Sequence, residues 1–172
     1  MTLALEQTPA GPRLRLTRRL SHPPEKVWRA LTDPDSLAAW FPDTIVVESW
    51  EVGSRLRFEH ERGLFDPFEG EVLEVTPLRA LEFSWGTDRL RFELEPDGEG
   101  TQLTLLDTID ELGKAARDGA GWHVCLDQLE HHLSGTAPGW STSDRWREVH
   151  PRYVEALGPE ASSIGPPAGA LE

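Results

Sequence analysis

Gly119-Ala120-Gly121-Trp122-His123-Val124-Cys125-Leu126-Asp127-Gln128-Leu129-Glu130-His131-His132-Leu133 is the stretch that decides the fold. At about 100° per residue, Trp122, Leu126, Leu129 and Leu133 fall within a narrow arc, with Cys125 at its edge, so the spacing predicts an amphipathic helix. His123, Asp127, Glu130 and His131 point elsewhere and are expected on a solvated face. Gly135 is the expected stop, because glycine tolerates the left-handed conformation of a helix end. The apolar stripe needs a covering surface, and only the strand-rich region 44–108 is large enough to supply one. A curved sheet wrapped around this helix is the expected α+β architecture.

Working outward, the residues before 44 read as one strand and two short helices. From Arg13 to Leu20 the pattern alternates, with Leu14, Leu16 and Leu20 on one side. Ser21-His22-Pro23-Pro24 breaks that strand, and Pro24 suits a first helical turn because it has no N–H to leave unpaired. Asp33-Pro34 repeats the device, with Asp33 as cap, and a second short helix then carries Leu37 and Trp40. Region 44–108 reads as an antiparallel meander of strands Ile45–Trp50, Arg55–Glu61, Phe68–Val75, Leu81–Trp85, Leu90–Leu94 and Thr101–Thr108. The register of the third is open, with Gly70 a candidate bulge.

Beyond Gly135, Ser141–Leu157 reads as a terminal helix that Pro151 interrupts. The breaker cluster Thr8-Pro9-Ala10-Gly11-Pro12 makes residues 1–12 read as a flexible tail, and the Pro/Gly/Ala/Ser-rich residues 158–172 as a disordered one. The domain is expected over residues 13–157.

A net charge of −13, with acidic residues interleaved along almost every segment, argues against nucleic acid and against an anionic membrane surface as partners. No apolar run approaches the roughly 18 residues that span a bilayer, and the amino-terminal residues lack a signal-peptide pattern, so a cytoplasmic location is expected. The single cysteine, Cys125, excludes an internal disulfide and reads as a small apolar filler. His123, Asp127 and His131 are four apart, but on the face expected to be solvated; neither a metal site nor any cofactor is expected.

Ser21-His22-Pro23-Pro24-Glu25-Lys26-Val27-Trp28-Arg29-Ala30-Leu31-Thr32-Asp33-Pro34 with Leu37 and Trp40 resembles the opening signature of the group named after the activator of Hsp90 ATPase. Gly121-Trp122 followed by Leu126, Leu129 and Leu133 is similar to its closing helix, and Thr76-Pro77 with Leu81-Glu82-Phe83-Ser84-Trp85 to its middle. The resemblance covers about residues 13–157 and places the chain with the START-like (SRPBCC, Bet v 1-like) helix-grip superfamily. It implies a curved antiparallel sheet of six or seven strands around a long carboxy-terminal helix, two short helices after the first strand, and a cavity between sheet and helix.

Ligand-carrying, cyclase or aromatase, and co-chaperone members are known in that superfamily. The resemblance therefore implies a small hydrophobic or amphipathic ligand as partner, with a polyketide cyclase-like enzyme or a protein-interaction module as alternatives; a homodimer is compatible with the sequence. The inward faces offer Phe58, Phe83, Trp85, Phe92, Leu105, Trp122, Leu126 and Leu129 as ligand-binding candidates, and the resemblance puts Trp40, Phe41, Phe65 and Phe68 at the entrance. His60 and Asp107 each follow apolar residues on an inward face. A buried polar side chain needs a partner, so these two are candidate ligand-orienting groups and candidate acid and base for a catalytic step.

Overall fold

A computed structural model describes residues 1–60, 63 and 65–171. The strands are β1 (Thr2–Thr8), β2 (Gly11–Leu20), β3 (Thr44–Val47), β4 (Arg55–Glu59), β5 (Phe68–Thr76), β6 (Ala80–Trp85), β7 (Asp88–Asp97) and β8 (Gly100–Thr108). The helices are α1 (Pro24–Thr32), α2 (Pro34–Leu37), α3 (Ala115–Ser134) and α4 (Thr142–Leu157). The strands form one eight-stranded sheet in the order β1-β2-β8-β7-β6-β5-β4-β3, and every pairing is antiparallel. The architecture is helix-grip-like, with eight strands rather than six or seven.

The additional strand is β1, where the sequence leads one to expect a flexible tail over residues 1–12. The Pro/Gly cluster is a hairpin turn instead. Gly11 adopts φ +128°, a conformation that suits glycine, and Thr2–Thr8 pairs with β2 from Thr2↔Thr17 to Thr8↔Gly11. Residues after 158 also pack back on the domain: Ala161 is buried, and the Ile164 amide donates to the Gly113 carbonyl at 3.0 Å. Pro151 does not split α4, which runs unbroken from Thr142 to Leu157.

Local signals elsewhere act as their chemistry dictates. The Asp33 carboxylate accepts the Ser36 amide at 2.9 Å, and Pro34 opens α2. Gly135 ends α3 at φ +66°. In β5 the irregularity sits between Val72 and Glu74 rather than at Gly70. Gly70 faces Leu56 of β4, where a Cβ would come within 2.8 Å of the Phe58 ring.

The concave face of the sheet carries Leu14, Leu16, Leu56, Phe58, Leu81, Phe83, Leu90, Phe92, Leu103 and Leu105, all buried, against Leu126, Leu129 and Leu133 of α3. Leu133→Ala is expected to cost about 2–5 kcal/mol in urea unfolding, because neighbours cannot collapse fully into the void.

The opposite face of α3 is solvated only in part: Glu130 is exposed, whereas His123 and Asp127 are largely covered. Helix α4 packs against it, and Gly119 makes the close approach possible, since a Cβ there would lie 2.7 Å from the Tyr153 ring. Close packing on the sheet is therefore not what this glycine serves. Asp127 accepts from Arg145 at 2.8 Å and from Arg18 of β2, and the Tyr153 hydroxyl meets His123 Nδ1 at 3.0 Å. Burial pushes the His123 imidazole down to about 4, leaving it neutral at pH 7.

Candidate functional site

The space between sheet and α3 divides into a filled part and an open part. Toward the sheet centre, aromatic rings meet each other: Phe83 lies 6.0 Å from Phe58, 6.1 Å from Phe92 and 6.1 Å from Phe41, centroid to centroid. Stacked and tilted contacts of this kind fill a core at near-crystalline density. At one end, where the β6–β7 turn, the segment after α2, α3, the start of α4 and residues 166–171 converge, a cavity of about 920 Å³ remains. That volume lies within the range of small-molecule pockets.

Its walls carry seven aromatic side chains among smaller and polar residues. Trp40, Phe41, Phe65, Phe68, Trp85, Trp122 and Trp146 line it. Of the residues singled out from sequence, the structure thus brings Trp40, Phe41, His60, Phe65, Phe68, Trp85 and Trp122 together around this cavity. Phe58, Phe83, Phe92, Leu105, Leu126 and Leu129 lie in the packed core. Phe65 is the exposed member, at 48%, and marks the mouth. Gly121 of α3 also lines the cavity and has open space where a side chain would begin.

His60 and Asp107 take separate places. His60 lies on the cavity wall, edge-on to Phe65 with centroids 5.6 Å apart. Asp107 is fully buried in β8, and its Oδ2 accepts the Trp122 indole N–H at 2.7 Å. Its Oδ1 has no hydrogen-bond partner among the described residues. Burial pushes this carboxyl well above its ordinary value, and the neighbouring Asp88 charge adds to the shift.

Asp107 keeps company instead with Asp88 and Asp118, and their carboxyl oxygens lie within 4.8 Å of one another. Asp88 and Asp118 line the cavity. Burial, reinforced by the Asp118 charge, pushes Asp88 up to about 6. Asp118, also raised mainly by burial, is gripped by Arg117 through Nε at 2.6 Å and Nη2 at 3.1 Å. Such a group of oxygens has the donor type that hard cations take.

Asp88 is missed in the sequence because Gly86-Thr87-Asp88 reads as a turn, whereas Asp88 opens β7. Its phase with Leu90 and Phe92 was the available signal, since i, i+2 and i+4 share one face of a strand. Across the cavity, Trp85 donates its indole N–H to Asp43 at 2.7 Å. Burial raises the Asp43 carboxyl, and the Trp85 bond partly offsets that. Cys125 also lines the cavity, but burial pushes its thiol up to about 12, so it is no nucleophile at neutral pH.

No helix among the described residues is long and apolar enough to cross a membrane. A search of curated proteins finds no match to the chain. Among solved structures, a conserved protein of unknown function from Enterococcus faecalis, EF2215, superimposes with a TM-score of 0.72 at 21% identity, over 90% of each chain. CalU16 from Micromonospora echinospora gives 0.70 at 23% identity, over 91% of this chain and 96% of its own. DynU16, described as a protein in the dynemicin biosynthetic locus, gives 0.60 at 27% identity, over 71% of this chain and 47% of its own. The sequence pattern of the Activator of Hsp90 ATPase homolog 1-like family matches residues 21–134, from the end of β2 through α3. With more than half its length matched, the chain belongs to the family of activator of Hsp90 ATPase homolog 1-like proteins.

Proposed function

We propose that this protein binds and sequesters a small hydrophobic or amphipathic molecule in the cavity at the open end of the sheet. The observation that carries the reading is a space of about 920 Å³, with seven aromatic side chains in its lining, beside a packed core. Burying a guest's apolar surface there supplies about 25 cal/mol per Å² before ordering costs. The likeness to DynU16, described by its place in a biosynthetic locus, supports a role beside small-molecule biosynthesis. Catalysis is the second reading. It is favoured by Asp88, a cavity-lining carboxyl pushed up to about 6 and so able to exchange a proton near neutral pH.

Gly121→Leu tests the first reading directly. The new side chain enters open space in the cavity, while replacing a mid-helix glycine stabilises α3 by roughly 0.5–1 kcal/mol. The expected result is a protein that melts no lower than wild type yet binds diphenylhexatriene at least tenfold more weakly. Equal binding by the two proteins would place the apolar site elsewhere. Native mass spectrometry of protein from its own host should then show a co-purified small molecule in wild type and not in the variant.

A further inference from the structure

We propose that the guest carries a positively charged nitrogen, and that Asp88 and Asp118, backed by Asp107, receive it; the natural ligand is thus an aromatic or amphipathic amine. The inference rests on the reading of the cavity as a ligand pocket and specifies the guest's charge.

Two observations point to a cation. The first is an imbalance of charge. Asp118 has Arg117 as counter-ion, at 2.6 Å, and nearby Lys114 is taken by Asp110, at 2.5 Å. Asp88 and Asp107 have no ion-pair partner among the described residues, although both are buried. The second is the Asp107 Oδ1 atom, fully buried and without a hydrogen-bond partner among the described residues. A buried polar atom left unmatched is costly. An incoming ammonium group would let this carboxyl ionise, and would lie against the ionised Asp88 in a poorly hydrated corner where such attraction is strong.

The walls select an organic cation over a bare metal ion. A hard divalent ion takes six or more oxygen ligands, whereas both oxygens of Asp118 already accept from Arg117. The adjoining wall carries aromatic rings. Trp85 and Trp122 lie with centroids 5.4 Å apart, and each indole N–H is given to a carboxyl, of Asp43 and Asp107 respectively. Holding the N–H against a carboxylate leaves the π-faces electron-rich, and those faces attract ammonium groups. The net charge of −13 further favours cation approach.

Binding should be coupled to proton release. Without a guest, protons are held by Asp107 and, up to about pH 6, by Asp88, in the field of Asp110, Lys114, Arg117 and Asp118. A cation favours the ionised forms, so amine affinity should rise as pH increases from 5 to 8.

Three naphthalene probes of one shape separate the possibilities: 2-(1-naphthyl)ethylamine, 2-(1-naphthyl)ethanol and 1-naphthylacetate, titrated by calorimetry into wild type, Asp88→Asn and Asp118→Asn, with calcium and magnesium chloride in parallel. We expect the amine to bind at least tenfold tighter than the alcohol at pH 8, and to lose that margin in Asp88→Asn while the alcohol's affinity stays the same. An alcohol that binds as tightly as the amine would overturn the charge assignment and leave the pocket reading standing. An amine preference that survives both substitutions would overturn the site. Calcium or magnesium that binds at these carboxyls and blocks the amine would overturn the ligand class. Failure of all three naphthalenes would sink the pocket reading and this inference together.

Discussion

Asp107→Asn should raise the stability of the protein relative to wild type at pH 8, where burying the Asp107 carboxyl obliges wild type to take up a proton on folding, and leave its stability near pH 4 almost unchanged. Asp107 is fully buried, and its Oδ1 has no partner among the described residues. Burial, reinforced by Asp88, raises its folded pKa well above the unfolded value. Such a group binds its proton more tightly in the folded state. Stability is therefore fullest below the unfolded value of about 4, where both states are protonated, and declines as pH rises through the folded pKa.

Asparagine removes the titration, keeps an oxygen for the Trp122 indole N–H, and offers an N–H₂ toward the Asp88 and Asp118 carboxyls. Carboxylates held low elsewhere titrate with the opposite sign. Asp127 is one, because the Arg18 and Arg145 guanidinium groups outweigh its burial. The informative quantity is accordingly the difference in urea midpoint between variant and wild type across pH 4–8. A difference that is flat, or that favours wild type at pH 8, would mean that the Asp107 carboxyl is ionised and held in the folded protein.

Phe83→Ala should cost about 3–5 kcal/mol, the usual range for emptying a buried aromatic site. Phe83 is 1% exposed, and its ring meets those of Phe41, Trp50, Phe58 and Phe92 with centroids 6.0–6.1 Å apart. Four rings cannot all move inward without leaving their rotamer wells. A loss below about 1 kcal/mol in urea unfolding, well under that range, would show that this interior is loosely filled and continuous with the cavity.

Elements governed by neighbouring residues were legible in the sequence. The α3 stripe follows from the spacing of its apolar residues, the Asp33-Pro34 start and the Gly135 stop from the stereochemistry of single residues, and the structure has them there. Strand β1 was not legible, because Thr8–Pro12 reads alike as the end of a tail and as the turn of a hairpin; only pairing with β2 distinguishes them. The boundary between core and cavity was not legible either. Phe58, Phe83 and Trp85 share inward phase, yet the first two are packed while Trp85 lines the open end. Alternation reports which face a side chain takes, not how far along that face the opposing helix fills the space. The carboxyl cluster escaped because its members come from the ends of two strands and from a helix. Asp88, Asp107 and Asp118 meet only once β7, β8 and α3 are assembled.

The paired indoles have an optical consequence. Trp85 and Trp122 lie with centroids 5.4 Å apart and planes tilted by 59°, close enough for their excited states to mix and skewed enough for the mixing to be chiral. The pair should give a bisignate exciton band in ultraviolet circular dichroism, superimposed on the spectra of the other tryptophans. A guest that turns either ring would alter that band, so the empty and filled states of the cavity could be told apart in unlabelled protein.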